Sequence, residues 1–156
     1  MKISFSPPDM SELEVQEVCE AIHSGWITTG PRTKEFERLL AMCCGTERVV
    51  CLNSATACMR VLGVGPGDEV ITSAYTYTAS ASVMCHVGAK VVLVDTAPGS
   101  FEMDYLKLAD AITEKTKVII PVDLGGVVCD YDKIFAAVES KKHLFSPDNE
   151  VQKAIG

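Results

Sequence analysis

No stretch of this 156-residue chain approaches the ~20 consecutive apolar residues that a membrane-spanning helix needs, so no membrane partner is expected. The N-terminus lacks the basic segment followed by an apolar stretch that marks a signal peptide, which makes the cytoplasm the expected location. Basic runs are absent and the formal net charge is −7, which argues against nucleic acid as a partner. The seven cysteines include no Cys-x-x-Cys spacing, and their number is odd, so neither a tetrahedral metal site nor a disulfide framework is expected. Cys19 and Cys43 fall on the apolar faces of expected helices, where a reduced thiol packs as a small hydrophobe. Buried free thiols are the expectation. No internal repeat, low-complexity stretch or linker divides off a second domain.

What is present suits one globular core, since 47% of the residues are apolar. Ser11-Glu12-Leu13-Glu14 is a capping box. It opens a helix with Leu13, Val15, Val18, Cys19 and Ile22 apolar, ending near Gly25. A second helix follows Gly30-Pro31, with Phe36, Leu39, Leu40 and Cys43 at the spacing of a buried stripe and Gly45 as its cap. From Val49 the pattern becomes alternating. Arg48–Leu52, Glu69–Thr72, Lys90–Val94 and Lys117–Val122 read as short Val/Ile-rich strands. Thr56–Leu62, Thr78–Val87, Asp104–Thr113 and Asp130–Lys142 read as helices, and Ser146 with Pro147 as the start of another. Apolar strands separated by helices predict an α/β fold, a mostly parallel sheet with helices on both faces.

Ligands of such sheets bind beyond the carboxyl ends of the strands. Three segments reach that edge. Asn53-Ser54-Ala55-Thr56-Ala57 offers the Thr56 hydroxyl and the N–H groups of Thr56 and Ala57 at a helix start, a place suited to phosphate. Ser73-Ala74-Tyr75-Thr76-Tyr77 sets two aromatic rings after a strand, where a flat heteroaromatic group can stack. Asp123-Leu124-Gly125-Gly126 sets a carboxylate before a flexible loop. Each has a plainer reading, as a helix cap, as rings under a loop, or as a capping aspartate. Gly65-Pro66-Gly67-Asp68 reads as a turn.

Order and spacing together shift the balance. The segments Ser24-Gly25-Trp26-Ile27-Thr28-Thr29-Gly30-Pro31, Asn53–Ala57, Gly65–Ile71, Thr72–Thr78, Gly88-Ala89, Asp95 and Thr116–Val122 run in register with a known pattern. The chain resembles the DegT/DnrJ/StrS family of sugar aminotransferases, within the fold type I superfamily of pyridoxal-phosphate (PLP) enzymes. The resemblance implies that residues 1–156 are the N-terminal part of the large domain, with 1–45 a helical arm and the C-terminal remainder absent. It implies PLP as cofactor, with Ser54, Thr56 and Ala57 in the phosphate turn and Tyr77 stacked on the pyridine ring. Trp26, Thr28 and Thr29 become substrate-loop candidates. The implied reaction moves an amino group from an amino-acid donor, typically glutamate, to a nucleotide-linked keto-sugar, for polysaccharide, cell-surface or antibiotic sugar synthesis. A homo-oligomer is implied as well.

Two departures follow. The helix after Ala57 is shorter than the family's by about one turn, ~4 residues. The family's pyridinium-pairing aspartate, a further phosphate-contacting serine, the Schiff-base lysine and the small domain have no counterpart here. Such a lysine must be desolvated beside the cofactor. The lysines of this chain lie on helical or terminal segments, except Lys90 and Lys117, which open strands at the opposite edge. No catalytic residue is therefore assigned, and the chain alone is expected to be inactive. Alternatives from other classes are a flavodoxin-like module binding a phosphate ligand, and a non-catalytic pseudoenzyme partner.

Overall fold

The computed structural model describes residues 8–155, and the chain forms two compact units, Met1–Cys51 and Leu52–Gly156. In the first unit, α1 (Glu12–His23) starts at the expected capping box. Ser11 Oγ accepts the N–H of Leu13 and the Glu14 carboxylate accepts the N–H of Ser11. α2 (Pro31–Cys44) begins with proline, whose missing N–H costs nothing there, and ends at Gly45 in the left-handed region. The Arg32 guanidinium bridges to Glu17 and Glu20 of α1.

Neither helix buries a side chain. Leu13, Val18, Ile22, Phe36 and Leu39 are all exposed. The expected burial of Cys19 and Cys43 is therefore overturned, since both thiols are exposed and among all seven cysteines Cys129 alone is buried. The physical reason is that an apolar stripe needs another layer to cover it, and two helices and a loop do not supply one. Residues 48–52 are a second correction. They form no strand. Val50 is exposed, and the Cys51 N–H donates to Glu37 Oε1 at 3.0 Å instead of to a neighbouring strand.

The second unit runs α3 (Ala55–Val61), β1 (Glu69–Ser73), α4 (Thr78–Val87), β2 (Lys90–Val94), α5 (Tyr105–Ala111), β3 (Thr116–Ile120), α6 (Tyr131–Lys141) and α7 (Glu150–Ile155). The sheet has the order β2-β1-β3 and both pairings are parallel, with Val70 opposite Val91 and Val118. Successive strand residues point to opposite faces. Val70 accordingly joins Met59, Val83 and Met84 of α3 and α4 on one side. Ile71 joins Leu108 of α5 and Ile134 and Ala137 of α6 on the other. The fold is thus mixed α/β, a parallel sheet covered on both faces.

Turns follow from local chemistry. In the Gly65–Asp68 turn the Asp68 carboxylate accepts the Gly65 N–H at 2.9 Å, and the Asp68 N–H returns to the Gly65 carbonyl at 3.1 Å. Gly88 ends α4 with φ at 81°, against the ring of Pro66. α7 begins later than expected. Its first turn is held by Asn149, whose side-chain oxygen accepts the Gln152 N–H at 2.9 Å, and not by Ser146. Ser146 instead gives its carbonyl to Lys117.

Glu69 ties the amino edge of the sheet together. Its carboxylate accepts from Lys90 Nζ of β2 and from Thr113 Oγ1 ahead of β3, both at 2.7 Å. The Lys90 ammonium, followed by the Thr113 hydroxyl, holds the Glu69 carboxyl below the usual carboxylate range. A depressed folded-state pKa contributes stability above the unfolded value of about 4.3 and loses it as pH falls through the folded value. Glu69→Gln should lower the unfolding free energy at pH 7 by about 1 kcal/mol, kept modest because Lys90 is exposed. Denaturant melts of both proteins should converge as the pH drops below about 4. A gap that stays constant down to pH 2 would show that the carboxylate charge is not what matters.

Candidate functional site

α3 leads through Leu62–Asp68 into β1 and packs against α4. This directs the start of α3, like the start of α4, toward the carboxyl ends of the strands. At the start of α3, Ser54 is in an extended conformation and its Oγ accepts the Ala57 N–H at 3.2 Å. The Ser54 carbonyl accepts from Cys58. One of the two N–H groups read as phosphate donors is therefore occupied by the cap. The Thr56 N–H and hydroxyl make no hydrogen bond among the described residues, and Thr56 is half-buried. Both readings of this turn hold at once: it is a serine-capped helix start, with a Thr56 donor pair left over.

Thr76 and Tyr77 enter α4. The Thr76 and Ser80 hydroxyls are hydrogen-bonded at 2.9 Å, which fixes the backbone that carries Tyr77. Tyr77 occupies the N-cap position of α4 without a side-chain cap, and the residue is 81% exposed. A ring so presented has a face to offer to a flat ligand. Tyr75 does not. It stacks on Phe101, with centroids 5.3 Å apart and planes at 25°. By position after the strand the sequence offers Tyr75 and Tyr77 alike, and only the family resemblance selects Tyr77. The structure separates them through Phe101, a residue of the loop that the Thr96–Met103 bridge folds back. No sequence signal marked that pairing.

At the end of β3, the Asp123 carboxylate accepts the Cys129 N–H at 2.9 Å and faces the Tyr131 hydroxyl at 3.4 Å. It closes the Leu124–Val128 loop, in which Gly125 and Gly126 have φ of 62° and 82°. Burial pushes the Cys129 thiol up, with the Asp123 carboxylate adding to the effect. Cys129 thus stays a thiol, donating to the Val122 carbonyl at 3.2 Å, and is no nucleophile. Tyr105, pushed up to about 12 by burial, accepts the Asp130 N–H at 2.8 Å and donates to Glu102 at 2.9 Å. These groups organise loops.

The substrate-loop candidates lie in the first unit. Trp26 Nε1 donates to the Thr29 carbonyl at 3.1 Å, and the indole lies over Gly30 so closely that any Cβ there would collide with it. Thr28 and Thr29 are exposed. Lys90 and Lys117 are both engaged at the amino edge, Lys90 with Glu69 and Lys117 with Asp148 at 2.7 Å. Among the described residues no group of histidine, cysteine and carboxylate side chains is arranged to hold a metal ion. No helix of the described residues is long and apolar enough to cross a membrane.

Comparison with known proteins supplies the context. The model of the DegT/DnrJ/EryC1/StrS aminotransferase family matches residues 8–146. The spore coat polysaccharide biosynthesis protein SpsC of Bacillus subtilis (strain 168) is 38% identical over 142 residues, which are 88% of this chain and 36% of that protein. The UDP-4-amino-4-deoxy-L-arabinose–oxoglutarate aminotransferase of Shewanella sediminis is 40% identical over 139 residues, 86% of this chain and 36% of the relative. Among solved structures, Spr1654 of Streptococcus pneumoniae, described as a sugar aminotransferase and solved in a PLP form, is 58% identical with a TM-score of 0.86. That superposition covers 99% of this chain and 41% of the other. The chain thus spans well under half the length of the proteins it matches.

Proposed function

The chain belongs to the DegT/DnrJ/EryC1/StrS aminotransferase family, and from that premise we propose that it forms the phosphate-and-ring side of a PLP site in a nucleotide-sugar aminotransferase. The observation that carries the reading is the pairing, at one edge of the sheet, of an unpartnered Thr56 donor pair with an exposed Tyr77 ring. A phosphate on a short tether from a flat ring asks for that combination. When bound, PLP supplies the electron sink that lets an amino group pass between two substrates. The role of this chain is binding and orientation. Thr56 donates through its N–H and hydroxyl to the phosphate, Ser54 holds the Ala57 end of the turn, and Tyr77 covers one face of the ring.

The reaction we propose for the whole protein takes its amino group from glutamate and delivers it to a nucleotide-linked keto-sugar in polysaccharide or other cell-surface sugar synthesis. The names of the relatives support the sugar and the oxoglutarate partner. The Trp26–Thr29 loop is proposed to face the sugar. We also propose a homo-oligomer, supported by the uncovered apolar stripes of α1 and α2, since large exposed apolar patches are uncommon on monomers. The cytoplasm is the proposed location.

Three measurements test the reading. PLP titrated by fluorescence against the 156-residue chain should show weak binding that Thr56→Pro abolishes, because that change deletes the N–H and disturbs the turn. Equal affinity in both proteins would remove the turn from the site. The weakness follows from the scale of the interaction, roughly 0.3–1 kcal/mol for an anion at an exposed helix start. A coupled 2-oxoglutarate assay with added PLP should give no turnover above the protein-free rate, because both strand lysines are tied up at the far edge. Activity would mean that another lysine of this chain reaches the cofactor. Light scattering over a concentration series should show association, lost when Phe36→Glu and Leu39→Glu are combined. A concentration-independent monomer would discard the oligomer.

A further inference from the structure

The C-terminal segment of the second unit is tied to the sheet at one end and to α3 at the other. Lys117, in β3, has a side chain only 6% exposed. Its ammonium is neutralised by Asp148 Oδ2 at 2.7 Å and donates to the Ser146 carbonyl at 2.6 Å, with the Phe145 ring 5.6 Å away. A buried cation without such partners would be severely destabilising, so residues 145–148 are held against β3. From there the chain turns on itself. The Gln152 amide oxygen accepts the Asp148 N–H at 2.9 Å, while its nitrogen donates to the Leu62 carbonyl at 2.8 Å. Asn149 Nδ2 reaches the same carbonyl at 3.2 Å. Gln152 is 4% exposed.

Leu62 is the C-cap of α3, and its carbonyl is one of those that a helix end leaves unpaired. α3 has only seven residues, far below the ~12–15 at which a helix is even marginal by itself. Its neighbour Gly63 has φ of 72° and lies so close to the Asn149 amide that a Cβ there would overlap it. The contact is thus built from both sides, by two amides aimed at one oxygen and by a residue with no side chain to obstruct them.

We propose that residues 146–155 are a strap that fixes the far end of α3 and so sets the orientation of the Ser54–Ala57 turn, with Gln152 as a positioning residue for that turn. The functional half of this statement rests on the reading of the turn as the phosphate contact. The structural half does not. A rigid rod about 10 Å long pivots at its N-terminal end when its C-terminal end is released. The strap replaces, at the end of α3, the constraint that a longer helix would gain from its own length.

Gln152→Glu tests it. The variant keeps an oxygen that accepts from Asp148, removes the donor to Leu62 and sets a carboxylate oxygen against that carbonyl in its place. Amide exchange followed by mass spectrometry on the full 156-residue chain should show residues 58–62 exchanging about five- to tenfold faster, as expected for one lost hydrogen bond. The β1 and β2 amides should be unchanged. Lys117→Met, which frees the other end of the strap, should speed the same α3 amides and serves if the first variant does not fold. PLP affinity should fall by a similar factor in Gln152→Glu. Unchanged α3 exchange in both variants would overturn the strap. Faster α3 exchange with unaltered PLP affinity would overturn the positioning role. If the unaltered chain binds no PLP, the cofactor reading of the turn fails, and the exchange measurement alone decides whether the strap holds α3.

Discussion

β1 is the constraint on which the second unit depends. All five of its residues are buried, and it is the strand that both others pair with. A central parallel strand must satisfy its backbone on two sides and cover side chains on two faces. One strand therefore dictates two partner strands and two helical layers. Glu69 adds the only charge in it. That carboxylate is tolerated because Lys90 and Thr113 meet it, and those two contacts come from the segments that flank β1. The bulge between Glu69 and Val70 in the β1–β3 register lies at this same point.

The two edges of the sheet have accordingly diverged. At the amino edge, charges are consumed in structure: Lys90 by Glu69, Lys117 by Asp148 and the Ser146 carbonyl. At the carboxyl edge, the helix starts of α3 and α4 leave Thr56 with donors unpaired among the described residues and Tyr77 with an exposed ring. In a parallel α/β unit all the strand-to-helix connections fall on one side, so binding groups gather there without further design. The short α3 is the exception to this economy. It needs Leu62 to be gripped by Asn149 and Gln152, from a part of the chain some ninety residues away, as the spacing of the Gln152 contact shows.

The first unit follows a different logic. Its helices are well capped and joined by the Arg32 contacts to Glu17 and Glu20, yet their apolar stripes remain uncovered. Exposed ion pairs of this kind contribute little to stability. The amphipathic pattern specifies a face to be covered, and the proposed association of copies is one way to cover it.

What was legible in the sequence depended on the range of the forces involved. The α1 capping box, the Gly65–Asp68 turn, the limits of β2 and α4, and the two-sided sheet were all legible, because caps, turns and hydrophobic period are set by residues a few positions apart. The family was legible for a related reason, since a long in-register series of such local signals is specific where each alone is not. Residues 48–52 have strand composition and no strand, because a strand exists only beside another. Cys19 and Cys43 have core positions on their helices and no core above them. Phe101 covers one face of the Tyr75 ring, and Gln152 caps the Leu62 carbonyl at the end of α3. Each of these outcomes was decided by a partner distant in sequence, and chain order alone does not say which partners a fold will bring together.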